Sequence, residues 1–132
     1  MSSSTASCRC GQLSVEVSGD PVRISVCHCL ACQKRTGSAF SAQMRWPAEC
    51  VEVTGTASKW ARTADSGQTT TYSFCPNCGS TVHYSGGNFP DLVAIPVGAF
   101  DDPYICGPDF SVWEQRKHDW VQILGECVEH SD

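Results

Sequence analysis

The grouping of the cysteines limits what this chain can fold into more than any other feature. Ten cysteines occur in 132 residues, and seven of them form three tight groups: Cys8 and Cys10 in CRCG, Cys27, Cys29 and Cys32 in CHCLAC, and Cys75 and Cys78 in CPNCG. Residues two apart on an extended chain point their side chains the same way. Two such thiols can share a metal ion, whereas a disulfide between them would be badly strained. The N-terminus MSSSTAS has neither a basic n-region nor an apolar h-region, so no signal peptide is expected. A cytoplasmic protein keeps its thiols reduced, and the cysteines therefore read as metal ligands before disulfides.

FCPNCGST carries the strongest signal of the three groups. Pro76 and Asn77 favour a tight turn. Gly79 can take a positive φ that lets backbone N–H groups point back at the sulfurs. This is the chemistry of a zinc knuckle, which supplies two thiolates where a closed structural site needs four. CRCG has the same Cys-then-Gly ending and favours a set of Cys8, Cys10, Cys75 and Cys78. Such a set would clip the N-terminus to a turn more than sixty residues away. The rival partition joins Cys27 and Cys29 to the knuckle, and spacing alone does not fix partners.

Under the first partition, Cys27, Cys29 and Cys32 stand alone. Three protein ligands and one open position are the usual layout of a catalytic zinc. A structural site with a fourth ligand from elsewhere is the alternative, with Cys50, Cys106, Cys127, His83, His118 and His130 as candidates. Cys50, Cys106 and Cys127 lie outside any motif and are expected to ligate nothing. Alternation turns His28 away from a metal held by its neighbours, which makes it a core or supporting histidine.

The rest of the chain reads as short strands. Alternating patterns predict strands at 12–19, 22–27, 39–46, 68–74, 80–86 and 92–100, with Pro96 marking an edge or bulge in the last. Residues 50–55 and 57–62 read as a hairpin around Gly55, and 109–115 and 119–123 as closing strands. LACQKRTG is a short helical turn ended by Gly37. The aromatics Phe40, Trp46, Trp60, Phe74, Trp113 and Trp120 are assigned to the core. One mostly β domain over 1–132 follows. The net charge of −5 argues against binding a nucleic-acid backbone. No apolar stretch approaches the roughly 20 residues of a membrane span.

Read together, CRCG, CHCLACQKRTGSAF, FCPNCGS, VGAFDD and WEQRKHDW resemble the glutathione-dependent formaldehyde-activating enzyme family, from Cys8 to about Val121. The resemblance implies an Mss4-like fold of small antiparallel β-sheets around two zinc ions. It implies that Cys8, Cys10, Cys75 and Cys78 hold the structural zinc, and that Cys27, Cys29 and Cys32 hold the catalytic one. Many relatives place a histidine where this chain has Ser111. The implied activity is a zinc-dependent carbon–sulfur lyase that joins formaldehyde and glutathione, with a small thiol as partner. Lys34 and Arg35, just after Cys32, are placed to meet the carboxylates of such a thiol or to restrain a bound thiolate. The alternative of a different class is a non-catalytic zinc-stabilised domain that binds a small molecule or a protein.

Overall fold

The computed structural model describes residues 2–102 and 107–132. Cys106, one of the ungrouped cysteines, lies outside the described residues. Two sheets make the fold. The smaller joins β1 (Ser3–Ser7), β2 (Ser14–Ser18) and β5 (Val51–Thr54) in the order β1-β2-β5. The larger contains β3 (Arg23–Cys27), β4 (Ser41–Pro47), β6 (Ser58–Thr63), β7 (Thr69–Phe74), β8 (Thr81–Gly86), β9 (Phe89–Pro96), β10 (Phe110–Val112) and β11 (Glu129–His130). Its order is β11-β10-β3-β4-β9-β8-β7-β6, antiparallel except where β10 runs parallel to β3 and to β11. Among the described residues there is one α-helix, α1 (Leu30–Thr36), just after β3.

Period-2 alternation gives the large sheet two different faces. Ile24, Met44, Trp46 and Ile95 point one way and pack against Ala6, Val15 and Val17 of the small sheet, and Val82 joins them because a β-bulge between β7 and β8 breaks the alternation there. On the other face, Arg23, Arg45, Ala94, Tyr84, Tyr72 and Trp60 are successive cross-strand partners from β3 to β6. Cys27 shares that second face, four residues along β3 from Arg23. Its polar groups satisfy one another: Ser41 Oγ and Tyr84 Oη donate to Gln43 Oε1, each at 2.9 Å, and Gln43 Nε2 donates to Ser25 Oγ at 2.9 Å. Arg35 of α1 lies over the rings of Tyr72 and Tyr84, at 5.5 and 4.8 Å from their centroids.

Several sequence expectations are corrected here. Residues 50–62 do not form a hairpin. β5 pairs with β2, setting Val53 against Val15 and Val51 against Val17, while β6 pairs with β7 in the other sheet. A local hairpin would have left those valines without their apolar partners. β1 was not expected from a serine-rich stretch; pairing with β2 and full burial of Ala6 order it. Pro96 lies at no bulge. It ends β9 opposite Gln43 of β4 and beyond Ala94, the last residue paired with β8, so that on the β8 side the strand is locally an open edge there. The strand predicted at 109–115 shortens to Phe110–Val112, because Trp113 takes a left-handed φ of 57°. Residues 119–123 form no strand. Trp60, Trp113 and Trp120 are exposed, and of the six aromatics assigned to the core only Trp46 is fully buried.

Gly55, at the crossing between the sheets, has φ 105°, and a Cβ there would lie 2.0 Å from the Gln12 carbonyl oxygen. Gly55→Ala is expected to cost about 3 kcal/mol from left-handed strain plus the clash. An unchanged urea midpoint would show that the crossing is looser than this.

Candidate metal centres and the adjoining cleft

The first cysteine cluster forms where two turns meet. Cys8 and Cys10 lie in the β1–β2 turn, and Cys75 and Cys78 in the β7–β8 turn. Their four sulfurs lie within 4.8 Å of one another. Cys10 Sγ is 3.7 Å from both Cys8 Sγ and Cys75 Sγ. A zinc tetrahedron with Zn–S bonds of about 2.3 Å has S–S edges of about 3.8 Å, so the set fits that ion. Gly11 and Gly79 have φ of 88° and 80° and make the two turns alike. Backbone N–H groups of Leu13 and Asn77 donate to Cys8 and Cys75 Sγ, each at 3.3 Å, and Gln12 Nε2 donates to Cys75 Sγ at 3.0 Å.

The thiols of this cluster are driven apart in acidity. The Ser80 and Cys10 N–H groups hold Cys78 down at about 5. Burial opposes ionisation of Cys75, but Gln12 and the Cys78 and Asn77 N–H groups outweigh it and lower the thiol. The Gln12 N–H favours the Cys10 thiolate, yet Cys75 and Cys8 beside it push Cys10 up to about 11. Four such sulfurs can all be thiolates only around a cation.

The second cluster sits at the junction of β3 and α1. Cys27 ends β3, Cys29 is the N-cap of α1, and Cys32 lies in its first turn. Cys29 has extended backbone (φ −61°, ψ 154°), and its sulfur accepts the Cys32 N–H at 3.4 Å. Gly37, with φ 67°, closes the helix by donating to the Gln33 carbonyl at 2.9 Å. The three sulfurs lie within 4.8 Å of one another, all half-buried. Cys27 and Cys32, then the Cys32 and Ala31 N–H groups at the helix start, hold the Cys29 thiol far below its ordinary range. Cys27 is pushed up by Cys29 and Cys32 beside it. Here too three thiolates need a cation, and the soft donor set suits zinc.

Among the described residues, no further His, Cys, Asp or Glu joins either cluster. His118 pairs with Gln33 Oε1 at 2.8 Å, and His130 with Glu114 at 2.7 Å. Cys50 packs against the core and Cys127 is exposed. We expect the Cys50→Ala/Cys127→Ala double variant to bind as much zinc as the parent, measured by elemental analysis. Loss of one equivalent would make one of them the missing ligand.

His28, between two candidate ligands, is fully buried, and burial pushes its pKa below the ordinary histidine value. Its Nε2 pairs with Ser111 Oγ at 2.9 Å, and Ser111 donates to Glu114 Oε2 at 2.7 Å. The His28 carbonyl accepts from Gln33 Nε2 at 2.8 Å, and its N–H donates to the Val112 carbonyl at 3.1 Å. The C-terminal segment thus grips the backbone that presents Cys27 and Cys29.

Between α1 and the β6–β7 hairpin opens a cleft of about 830 Å³, lined by Lys34 and Arg35 on the helix side and by Lys59, Trp60, Arg62 and Tyr72 on the hairpin side. Leu30 and Ala31, the two residues between Cys29 and Cys32, form its wall next to the thiols. Lys34 and Arg35 therefore stand at this cleft beside the second cluster. Lys59 and Arg62 carry no motif in the sequence, and Trp60 reads there as a core aromatic; only the pairing of β6 with β7 brings them to the cleft.

No described helix is long and apolar enough to cross a membrane. The model of the family described as glutathione-dependent formaldehyde-activating enzyme matches residues 3–116. A comparison with curated proteins returns no match. Among solved structures, the chain is similar to the crystal structure of a Rhodobacter sphaeroides protein from a structural-genomics programme. That likeness has a TM-score of 0.60 at 18% identity, covers 75% of this chain and 91% of the other, and bears on the fold alone. The family match runs from β1 to the turn at Glu114–Arg116 and takes in all seven grouped cysteines; the chain belongs to the glutathione-dependent formaldehyde-activating enzyme family and has its mostly β, Mss4-like fold.

Proposed function

We propose that the protein is a zinc-dependent carbon–sulfur lyase acting on the adduct of a small thiol and an aldehyde, resembling formation of S-hydroxymethylglutathione from formaldehyde and glutathione. Three adjacent thiols at the start of α1, beside a cleft rich in cations, are the observation that carries this reading. Cys27, Cys29 and Cys32 would hold the catalytic zinc, and Cys8, Cys10, Cys75 and Cys78 the structural one. The chemistry a zinc supplies at a three-thiolate site is ionisation of a further thiol near neutral pH.

The protein's own residues bind and orient. Arg35, fixed over Tyr72 and Tyr84, and Lys34 meet the carboxylates of the thiol. The substrate sulfur then lies toward Leu30 and Ala31, next to the cysteines. Holding thiol and aldehyde together replaces a bimolecular encounter. In the forward direction the thiolate sulfur attacks the formaldehyde carbon. A C–S bond forms, the C=O π electrons move to oxygen, and that oxygen takes a proton from water. The lyase direction reverses each step.

With a zinc held by Cys27, Cys29 and Cys32, three thiolates would leave one net negative charge, which would favour a nucleophilic sulfur over strong Lewis acidity at the carbonyl. Exchange spectroscopy on formaldehyde, glutathione and S-hydroxymethylglutathione tests the proposal. Zinc-loaded protein at micromolar concentration should speed the exchange above the spontaneous rate. Exchange at the spontaneous rate would leave a binding domain as the reading.

A further inference from the structure

We propose that the cleft holds an apolar subsite for the group carried on the thiol's sulfur, so that the carbonyl partner is a large apolar aldehyde, aromatic or long-chain, rather than formaldehyde. The inference rests on the reading of the three-cysteine cluster as a thiol site. It names the half of the adduct that this reading leaves open.

The floor of the cleft is the first observation. Cross-strand pairing sets Trp60 against Tyr72 and Ser58 against Phe74, and the period of two puts all four on one face of the hairpin. Tyr72 lies beneath Arg35 of α1, so this is the face toward the helix. Trp60, Tyr72 and Phe74 therefore form an aromatic strip along the cleft, and Leu30 and Ala31 line it from the helix side. Leu30 and Ala31 also separate Cys29 from Cys32 in sequence, so the strip and the candidate thiol site share one apolar wall.

This surface is open, which is the second observation. Leu30 is 52% exposed and Trp60 59% exposed, and neither belongs to the core cluster. Trp60 stacks on Tyr72 with centroids 6.2 Å apart and planes at 25°, which holds the indole in place. A rigid ring left open at a cleft offers apolar area to a ligand at low entropic cost. Exposed apolar side chains gathered around a concavity mark a binding groove. β6 is also the edge of the large sheet. Edges are protected by charge against strand addition, an end that an indole does not serve.

The ligand follows from what the strip would contact. Glutathione is built of amides and carboxylates and has no hydrocarbon side chain, and formaldehyde adds a single carbon. Neither matches three aromatic rings and a leucine. With the thiol's carboxylates at Lys34 and Arg35 and its sulfur toward Leu30 and Ala31, the substituent on sulfur is the part that can reach the strip. A cleft of about 830 Å³ is in the range of sites that enclose a ligand of drug-like size. The bond changes are those given above for formaldehyde. The thiolate sulfur attacks the aldehyde carbon, one C–S bond forms, and the carbonyl oxygen takes a proton from water.

S-methylglutathione and S-benzylglutathione are the probes: stable thioethers with the same carboxylates, of which only the second carries a ring. In calorimetry, zinc-loaded protein should bind S-benzylglutathione about tenfold tighter, the gain expected for burying much of a ring. That preference should persist as salt is raised, since an apolar contact is not screened. Trp60→Ala, a change at an exposed position, should bring the two probes to equal affinity. Trp60→Phe, which keeps a ring, should keep the preference, and Leu30→Ala should reduce it. In exchange assays with glutathione, the ratio of kcat/KM for benzaldehyde to that for formaldehyde should fall about tenfold from parent to Trp60→Ala. Equal affinity of the parent for both probes, or a preference that Trp60→Ala retains, would overturn the inference. A Trp60-dependent preference without acceleration of exchange for either aldehyde would uphold the apolar subsite and defeat the lyase reading instead. Acceleration of formaldehyde exchange with no preference for the ring would do the reverse.

Discussion

Cys75→Ser is expected to bind one zinc ion fewer than the parent and to lose several kcal/mol of stability. Cys75 is fully buried and belongs to the core cluster together with Cys8. The site it completes joins the β1–β2 turn to the β7–β8 turn, so it ties the small sheet to the large one across 65 residues of chain. Closing so long a loop removes much freedom from the unfolded chain. Loss of one ligand leaves the remaining thiolates close together with a weakened ion between them. Serine also replaces the sulfur that accepts from Gln12 Nε2 with a shorter, neutral hydroxyl, weakening the link this amide makes between residue 75 and the Thr56 carbonyl. Elemental analysis and urea denaturation check the result. Full metal content with an unchanged midpoint would mean that these four sulfurs hold no structural ion.

Cys29→Ser is expected to abolish catalysis and release the other zinc while leaving the fold intact. Cys29 lies outside the core cluster, and its structural task is to cap α1 by accepting the Cys32 N–H. Serine performs that task at least as well, since its hydroxyl is a favoured N-cap acceptor. The substitution therefore separates the thiolate from the cap. Formaldehyde–thiol exchange should fall to the spontaneous rate, zinc should drop by one equivalent, and the urea midpoint should stay near that of the parent. Retained exchange activity would remove Cys29 from the chemistry. A collapsed midpoint would instead make the cluster structural and favour the binding-domain reading.

The contrast between the two substitutions follows from where the clusters lie. Cys8, Cys10, Cys75 and Cys78 sit between the sheets, with Cys8 and Cys75 inside the core. Cys27, Cys29 and Cys32 sit on the far face of the large sheet, at a helix start beside an open cleft. An ion in the first place holds layers together; an ion in the second meets whatever enters the cleft.

Short-range physics was legible in the chain. Turn chemistry at CPNCG and CRCG, the Gly37 stop of α1 and the inward placement of His28 depend on neighbours within a few residues. So do the strands at 12–19, 22–27, 39–46, 68–74 and 80–86, whose period of two needs no distant partner to be read. The seven grouped cysteines announce themselves because metal ligands must converge, and convergence from a short segment forces tight spacing.

Pairing was decided only by tertiary structure. β5 and β6 adjoin in sequence, yet they belong to different sheets, because Val51 and Val53 gain more from β2 than from an exposed neighbour. β1 is a strand because β2 offers an open edge and Ala6 a place in the core, not because Ser3–Ser7 prefers extended backbone. Trp60, Trp113 and Trp120 look like core residues by composition, and burial is a property of the packed face rather than of the side chain. The cleft shows the same division most clearly. Lys34 and Arg35 could be found from Cys32, since a helix fixes what lies one turn away. Arg62 is 27 residues beyond Arg35, and only the β6–β7 pairing, with Trp60 against Tyr72 beneath Arg35, brings it opposite the helix. Sequence determines which residues can act together locally. Long-range strand order, set by which apolar faces can cover one another, decides which of them share a site.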